Sequence, residues 1–201
     1  MNDFSSRDPA CADFWDERYA AGFMPWDAGG VPPALDRRLP LAPPARVLIP
    51  GCGRAYEAAW LARQGYEVSA IDISAVAIDQ AATVLGPASP VALRQADFFG
   101  DGFGADFDWI YERAFLCALP PRLWAAWALR CAALLRTGGR LAGYFVLAEA
   151  APESRRGPPF VITRAELRDL LGADFVLADE VEVTEALPVF RGERWFVWIR
   201  R

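Results

Sequence analysis

Lysine and histidine are both absent from this 201-residue chain, so all 21 of its basic side chains are arginine. Arginine does not exchange protons near neutral pH, and any chemistry must proceed without the two commonest tunable bases. A Walker-type phosphate loop needs a lysine and is excluded. The four cysteines, Cys11, Cys52, Cys117 and Cys131, show neither CxxC pairing nor metal-ligand spacing. They read as reduced thiols, with no metal site expected. Long apolar runs are missing too, since Arg130 interrupts "LWAAWALRCAALL", and no membrane span is expected. The opening "MNDFSSRDPACADFWDERY" carries acids where an export signal needs a basic start and an apolar stretch. A cytoplasmic location follows as the expectation. A net charge of −5 argues against nucleic acid as a partner.

What is present is a globular composition with 54% apolar residues and no repeat. One domain, 1–201, is expected, with an N-terminal helical lid over 1–45 and an α/β core over 46–201. In the core, β-rich runs at Val47–Pro50, Val68–Ile71, Val91–Arg94, Asp108–Tyr111 and Leu141–Leu147 alternate with helical stretches. The helices are read at Tyr56–Gln64, Ala75–Leu85 and Leu123–Arg136, the last stopping at Gly138-Gly139. Such alternation predicts a mostly parallel, Rossmann-like sheet. "DFVLADEVEV" and "RWFVWIRR" add a C-terminal antiparallel hairpin, for seven strands in all. Two short helices are expected in the lid, around "FWDERYAAG" and "PPALDRRL".

The stretch "RVLIPGCGRAYEAAW" places Gly51 and Gly53 at the carboxyl end of the first strand, where ligands sit in such sheets. Glycine there lets backbone N–H groups approach a ligand with no Cβ in the way. The dinucleotide fingerprint needs a third glycine where this chain has Tyr56. A short-chain reductase needs a Tyr-x-x-x-Lys that a lysine-free chain cannot supply. S-adenosylmethionine remains: it needs a short glycine turn and a carboxylate closing the second strand to accept the ribose hydroxyls. Asp72 closes "YEVSAID", 19 residues beyond Gly53, where that carboxylate belongs.

At this point the sequence resembles a family. "VLIPGCGRAYEAAWLARQGYEVSAIDIS" resembles the thiopurine S-methyltransferase superfamily of class I methyltransferases, in which a proline-led Cys-Gly turn replaces the usual acidic residue, here Ile49. "FWDERYAAGFMPWDAGGVPPAL" is similar to that superfamily's N-terminal segment in its halide/thiol methyltransferase branch. "FDWIYERAFLCALPP" and "GPPFVITRAEL" are similar to its later blocks.

The resemblance implies that Trp15 and Trp26 fold over the cofactor, S-adenosylmethionine, and its product S-adenosylhomocysteine. It implies Gly51, Cys52, Gly53, Asp72 and Ile73 as contacts to the methionine and ribose portions, and Asp97 and Phe98 of "QADFF" as adenine contacts. Arg113 matches an arginine near the reacting centre, a catalytic candidate that could instead hold cofactor. Tyr19, one helical turn from Trp15, joins Tyr144 and Phe160 as expected substrate contacts. The implied activity is methyl transfer to a small, soft, anionic acceptor such as a thiol, thiopurine, halide or chalcogen species, by a protein expected to be a monomer. Two other readings stand beside it: a non-catalytic partner or sensor that binds the cofactor, and a nucleotide-binding oxidoreductase. "GPPF" lacks the polar first residue of an amino-methyltransferase motif, which argues against methylation of base nitrogens.

Overall fold

A computed structural model describes residues 4–100, 102, 104–153, 156–184 and 186–201. The chain forms two compact units, Met1–Phe103 and Gly104–Arg201.

In the first unit, three parallel strands run β1 (Arg46–Pro50), β2 (Glu67–Asp72) and β3 (Ala92–Gln95), with β2 between the other two. Val47, Leu48, Ile49, Ala70 and Ile71 are all buried, the signature of strands covered on both faces. Helix α1 (Ala12–Ala20) precedes the sheet, α2 (Tyr56–Arg63) follows β1 and α3 (Ala75–Leu85) follows β2. The Ser74 hydroxyl caps α3 by accepting from the Ala77 N–H at 3.0 Å. Of the second expected lid helix, only a single 3-10 turn at Leu35–Arg37 forms. The pair of prolines before it and the polar run "DRR" after Leu35 leave a single buried side chain, Leu35, to hold it.

In the second unit, β4 (Phe107–Arg113) pairs in parallel with the long β5 (Leu135–Ala148). The expected C-terminal hairpin is present: β7 (Phe175–Glu182) and β8 (Glu193–Arg200) are antiparallel, and β8 also runs antiparallel to β5. Helix α4 (Trp124–Leu134) buries Trp127, Ala128, Cys131 and Leu134.

Four features depart from the expectations. The helix ends at Leu134 instead of Arg136, and β5 already starts at Leu135. Gly138, at φ +77°, does not stop a helix; it sits in an irregular stretch of strand where the β4–β5 register shifts between Phe107 and Trp109. A two-residue strand, β6 (Ile162–Thr163), pairs with β5 and adds an eighth to the expected seven strands. A further helix, α5 (Arg164–Leu171), follows it, closed by a capping box in which Thr163 and Glu166 bond reciprocally.

Where β4 and β5 meet at Glu112 and Gly143, a Cβ on Gly143 would overlap the Glu112 carbonyl oxygen. The two strands lie this close only because residue 143 has no side chain. One step along, Arg113 pairs with Tyr144.

Candidate functional site

The loop between β1 and α2 turns through three residues in the left-handed region: Gly51 at φ +58°, Gly53 at +52° and Ala55 at +59°. Only glycine takes this conformation without steric cost, so the Gly-Cys-Gly spacing is what lets the chain reverse directly off β1. The Cys52 N–H donates to the Ile71 carbonyl at 2.9 Å, tying the turn to the end of β2. The Cys52 thiol is buried, and burial raises its pKa well above the ordinary range.

Asp72 closes β2 as expected and lies against this loop. One carboxylate oxygen accepts from the Gly53 N–H at 3.0 Å, the other from the Ser74 N–H at 2.9 Å. An ionised carboxylate offers about four acceptor positions, so each oxygen keeps one for a further donor. The group is buried, and desolvation lifts its pKa to about 6 in spite of the two N–H donors; the nearby Asp16 carboxylate lifts it further. A buried carboxylate with spare lone pairs beside a glycine turn fits a diol such as ribose. Ile73, the next residue, is half-buried, and its carbonyl accepts from Gln95 Nε2 at 3.2 Å.

The N-terminal segment is docked on this loop. Asp16 on α1 accepts from the Ser74 hydroxyl at 2.5 Å and from the Val76 N–H at 3.2 Å, fastening α1 to the start of α3. The Tyr19 hydroxyl lies 2.8 Å from where a Cβ on Gly53 would be. A side chain at residue 53 would therefore expel the tyrosine. Burial, then the Asp72 charge, push the Tyr19 hydroxyl pKa up, so it stays a neutral phenol. Trp26 stands edge-on to both Trp15 and Tyr19, with ring centroids 5.4 and 5.9 Å apart. The Trp15 indole N–H donates to the Pro9 carbonyl at 2.8 Å. Thus Trp15, Tyr19 and Trp26 form one aromatic cluster beside the glycine loop.

Trp26→Ala should remove two edge-to-face contacts at about 0.5–1.5 kcal/mol each. These contacts lie within the protein, so only part of their sum of about 1–3 kcal/mol reaches the ligand, and we expect S-adenosylhomocysteine affinity to fall roughly five- to thirtyfold, with loss of the tryptophan fluorescence response to ligand. Unchanged affinity in a folded variant would reduce the cluster to packing.

Asp97, after β3, is exposed, and its carboxylate accepts from the Phe99 N–H at 2.9 Å in a tight turn. Phe98 is buried and meets Phe99 edge-on at 5.5 Å.

In the second unit, Arg113 is the last residue of β4, and its guanidinium lies 5.7 Å from the centre of the Tyr144 ring. Tyr144 is buried, edge-on to Trp195 at 5.0 Å and to Tyr111 at 6.5 Å. Phe160 is buried after the Gly157-Pro158-Pro159 turn, and its N–H donates to the Cys117 carbonyl at 2.6 Å.

Beside Arg113 is a group that sequence reading missed. Glu112 is buried and accepts from the Leu116 N–H at 2.9 Å and the Phe115 N–H at 3.3 Å. Burial pushes its pKa up to about 8 against the pull of those donors, and Glu193 raises it further. Nothing in "YERAF" marks a glutamate as buried; only the tertiary fold does so. Among the described residues, no group of three or more His, Cys, Asp or Glu side chains could hold a metal, and no helix is long and apolar enough to cross a membrane.

The fold is that of a class I S-adenosylmethionine-dependent methyltransferase: mixed α/β, Rossmann-like, with mostly parallel strands and an antiparallel C-terminal pair. Among solved structures it is similar to a Burkholderia thailandensis 1,6-didemethyltoxoflavin-N1-methyltransferase (TM-score 0.74, 22% identity), across 100% of this chain and 93% of that one. It is likewise similar to the magnesium protoporphyrin IX methyltransferase of Synechocystis (TM-score 0.72, 19% identity), across the full length of both.

Sequence narrows the class. The thiopurine S-methyltransferase family profile matches residues 10–198. A thiopurine S-methyltransferase of Azotobacter vinelandii is 32% identical across 91% of this chain and 89% of its own length. A probable thiol methyltransferase of Arabidopsis thaliana is 30% identical across 78% of this chain and 70% of its own. The chain belongs to the thiopurine S-methyltransferase family, and the activity it belongs with is S-adenosylmethionine-dependent methyl transfer.

Proposed function

We propose that this chain moves a methyl group onto a small, soft, anionic acceptor, with a thiol or thiopurine sulfur as the first choice. The observation that carries this reading is the protonation state of its buried groups. Burial raises Glu112 to a pKa of about 8, so this carboxyl keeps its proton near pH 7, and it pushes the Cys117 thiol and Tyr19 phenol, neutral there in any case, still further from ionising. With lysine and histidine absent, a neutral hydroxyl or amine would find few groups able to take its proton. A thiolate, selenide or halide arrives without that proton. The relatives that act on thiopurines and thiols point the same way.

S-adenosylmethionine supplies an electrophilic methyl group on a sulfonium sulfur. The residues proposed for the site do the placing. Asp72 accepts the ribose hydroxyls, and Gly51, Cys52 and Gly53 let backbone approach the methionine portion. Ile73, Asp97 and Phe98 are assigned to the nucleoside side. Trp15 and Trp26, with Tyr19 between them and the loop, keep water out. Arg113 attracts the incoming negative charge and lowers the pKa of an acceptor thiol. Tyr144 and Phe160 wall the acceptor's approach.

Incubation with methyl-labelled cofactor and a panel of thiols, thiopurines, iodide and tellurite tests the reading. Labelled product from the sulfur acceptors supports it; label passing only to amines or hydroxyls overturns it. Arg113→Ala should lower turnover with anionic acceptors by about tenfold to a hundredfold, equivalent to roughly 1.4–2.8 kcal/mol. Cofactor affinity should change far less. A loss of affinity with turnover intact would move Arg113 to the cofactor's carboxylate instead.

A further inference from the structure

One charged side chain at the glycine loop has no role yet. Arg54 follows Gly53 directly, ahead of the left-handed Ala55 that opens α2. Its only polar side-chain partner among the described residues is Asp27, with Nη1 at 3.5 Å from a carboxylate oxygen, the outer limit of a hydrogen bond. The centre of the Tyr56 ring is 5.4 Å from the guanidinium carbon. Arg54 Nε is buried and donates to nothing.

A charged donor withdrawn from water with no acceptor is costly, and proteins keep few of them. The unmet atom is also informative. Nε and one Nη make up the edge of a guanidinium that grips a carboxylate with two parallel hydrogen bonds. Asp27 does not use that edge, because it meets Nη1 alone and its other oxygen accepts from the Gly29 N–H at 2.6 Å. The Arg54 side chain is 36% exposed, against 14% for Asp27, so part of the guanidinium faces solvent while Nε itself is covered, and an anion that engages the Nε edge does so as that cover shifts, with the aspartate in place.

We infer that Arg54 is a binding residue for an α-carboxylate at the glycine loop, namely that of the cofactor's methionine portion. The inference rests on the reading that the cofactor occupies this loop. Asp27 then serves as a placeholder: it holds the guanidinium in the loop through Nη1 and leaves the Nε edge for the ligand. The pairing also joins the N-terminal segment, at the residue after Trp26, to the loop that receives the cofactor.

Calorimetry with two ligands tests this. S-adenosylhomocysteine carries the amino-acid group, whereas 5′-methylthioadenosine keeps the adenosine thioether and lacks it. Arg54→Gln should weaken S-adenosylhomocysteine by roughly 10–100-fold and leave 5′-methylthioadenosine within about twofold. Arg54→Lys, which keeps the charge but loses the two-pronged edge, should fall between. Asp27→Asn should preserve the preference for the carboxylate-bearing ligand.

If Arg54→Gln weakens both ligands equally, or Asp27→Asn reproduces its effect, Arg54 is only a strut for the N-terminal segment and the inference is overturned. If the unaltered protein binds neither ligand, the cofactor reading itself fails, and the assignment of Arg54 falls with it. These results are distinct. Circular dichroism on each variant confirms that a loss of binding is not a loss of fold.

Discussion

Asp72→Ala should weaken S-adenosylhomocysteine binding by about 30–150-fold, the largest single effect expected on affinity. Two hydrogen bonds from ribose hydroxyls to a charged, desolvated acceptor are removed, at about 2–3 kcal/mol once water's partial replacement is allowed for. The pH dependence gives a second signature. Desolvation lifts the Asp72 pKa to about 6 in the ligand-free protein. Only the ionised form accepts from two hydroxyls while also satisfying Gly53 and Ser74. Affinity for the unaltered protein should therefore fall as pH drops below about 6, by close to tenfold per unit at the limit. The alanine variant should show no such slope, and titration calorimetry between pH 5 and 8 reads both. Near-native affinity in a folded variant would remove Asp72 from the ribose.

Glu112→Gln should stabilise the protein in alkaline solution. Glu112 has its folded-state pKa raised from 4.5 to about 8, chiefly by burial. The folded chain keeps this proton up to about pH 8, whereas the unfolded chain releases it near 4.5. The unfolded state thus binds fewer protons across that window, and stability is lost as pH rises from about 4.5 to 8. The group is fully buried, so the swing could reach roughly 4–5 kcal/mol. Glutamine stays neutral and can still accept from the Leu116 N–H, so the variant's unfolding free energy should be much flatter with pH. Urea unfolding at pH 5 and pH 9 measures this. Equal slopes for both proteins would mean that Glu112 ionises in place without cost.

The two carboxylates differ in how legible they were. Asp72 could be read from the sequence because its position follows from regular structure: one strand, one turn, one helix and a second strand fix the spacing from Gly53. Glu112 could not, because its burial depends on the pairing of β4 with β5 and on the turn after β4 that brings the Phe115 and Leu116 N–H groups onto it. Arg54 is illegible for a related reason. An arginine after a glycine turn reads as a surface charge until the burial of its Nε is known.

Elsewhere the sequence does carry the signal. Thr163 and Glu166 spell a capping box in "TRAE", and α5 follows directly. The misplaced start of β5 has another origin. A Gly-Gly pair ends helices so commonly that its use within an irregular strand can be told only from the strand beside it. The aromatic segment around Trp15 and Trp26 reads as lying outside the alternating core because it does not fit the alternation, but its docking partners, Ser74 and Gly53, are distant in sequence.

Gly143 gives the proposed acceptor side of this enzyme a vulnerability that no ligand contact would disclose. Because its missing side chain sets how near β4 comes to β5, even an alanine there would wedge the strands apart beside Arg113 and Tyr144. The damage would reach the proposed acceptor groups through the backbone, leaving every one of their side chains chemically intact. A variant at residue 143 would thus resemble an active-site mutant in its turnover while carrying no altered active-site residue. The reach of β4 toward its neighbour is, in effect, a dimension of the proposed acceptor site held by a single hydrogen atom.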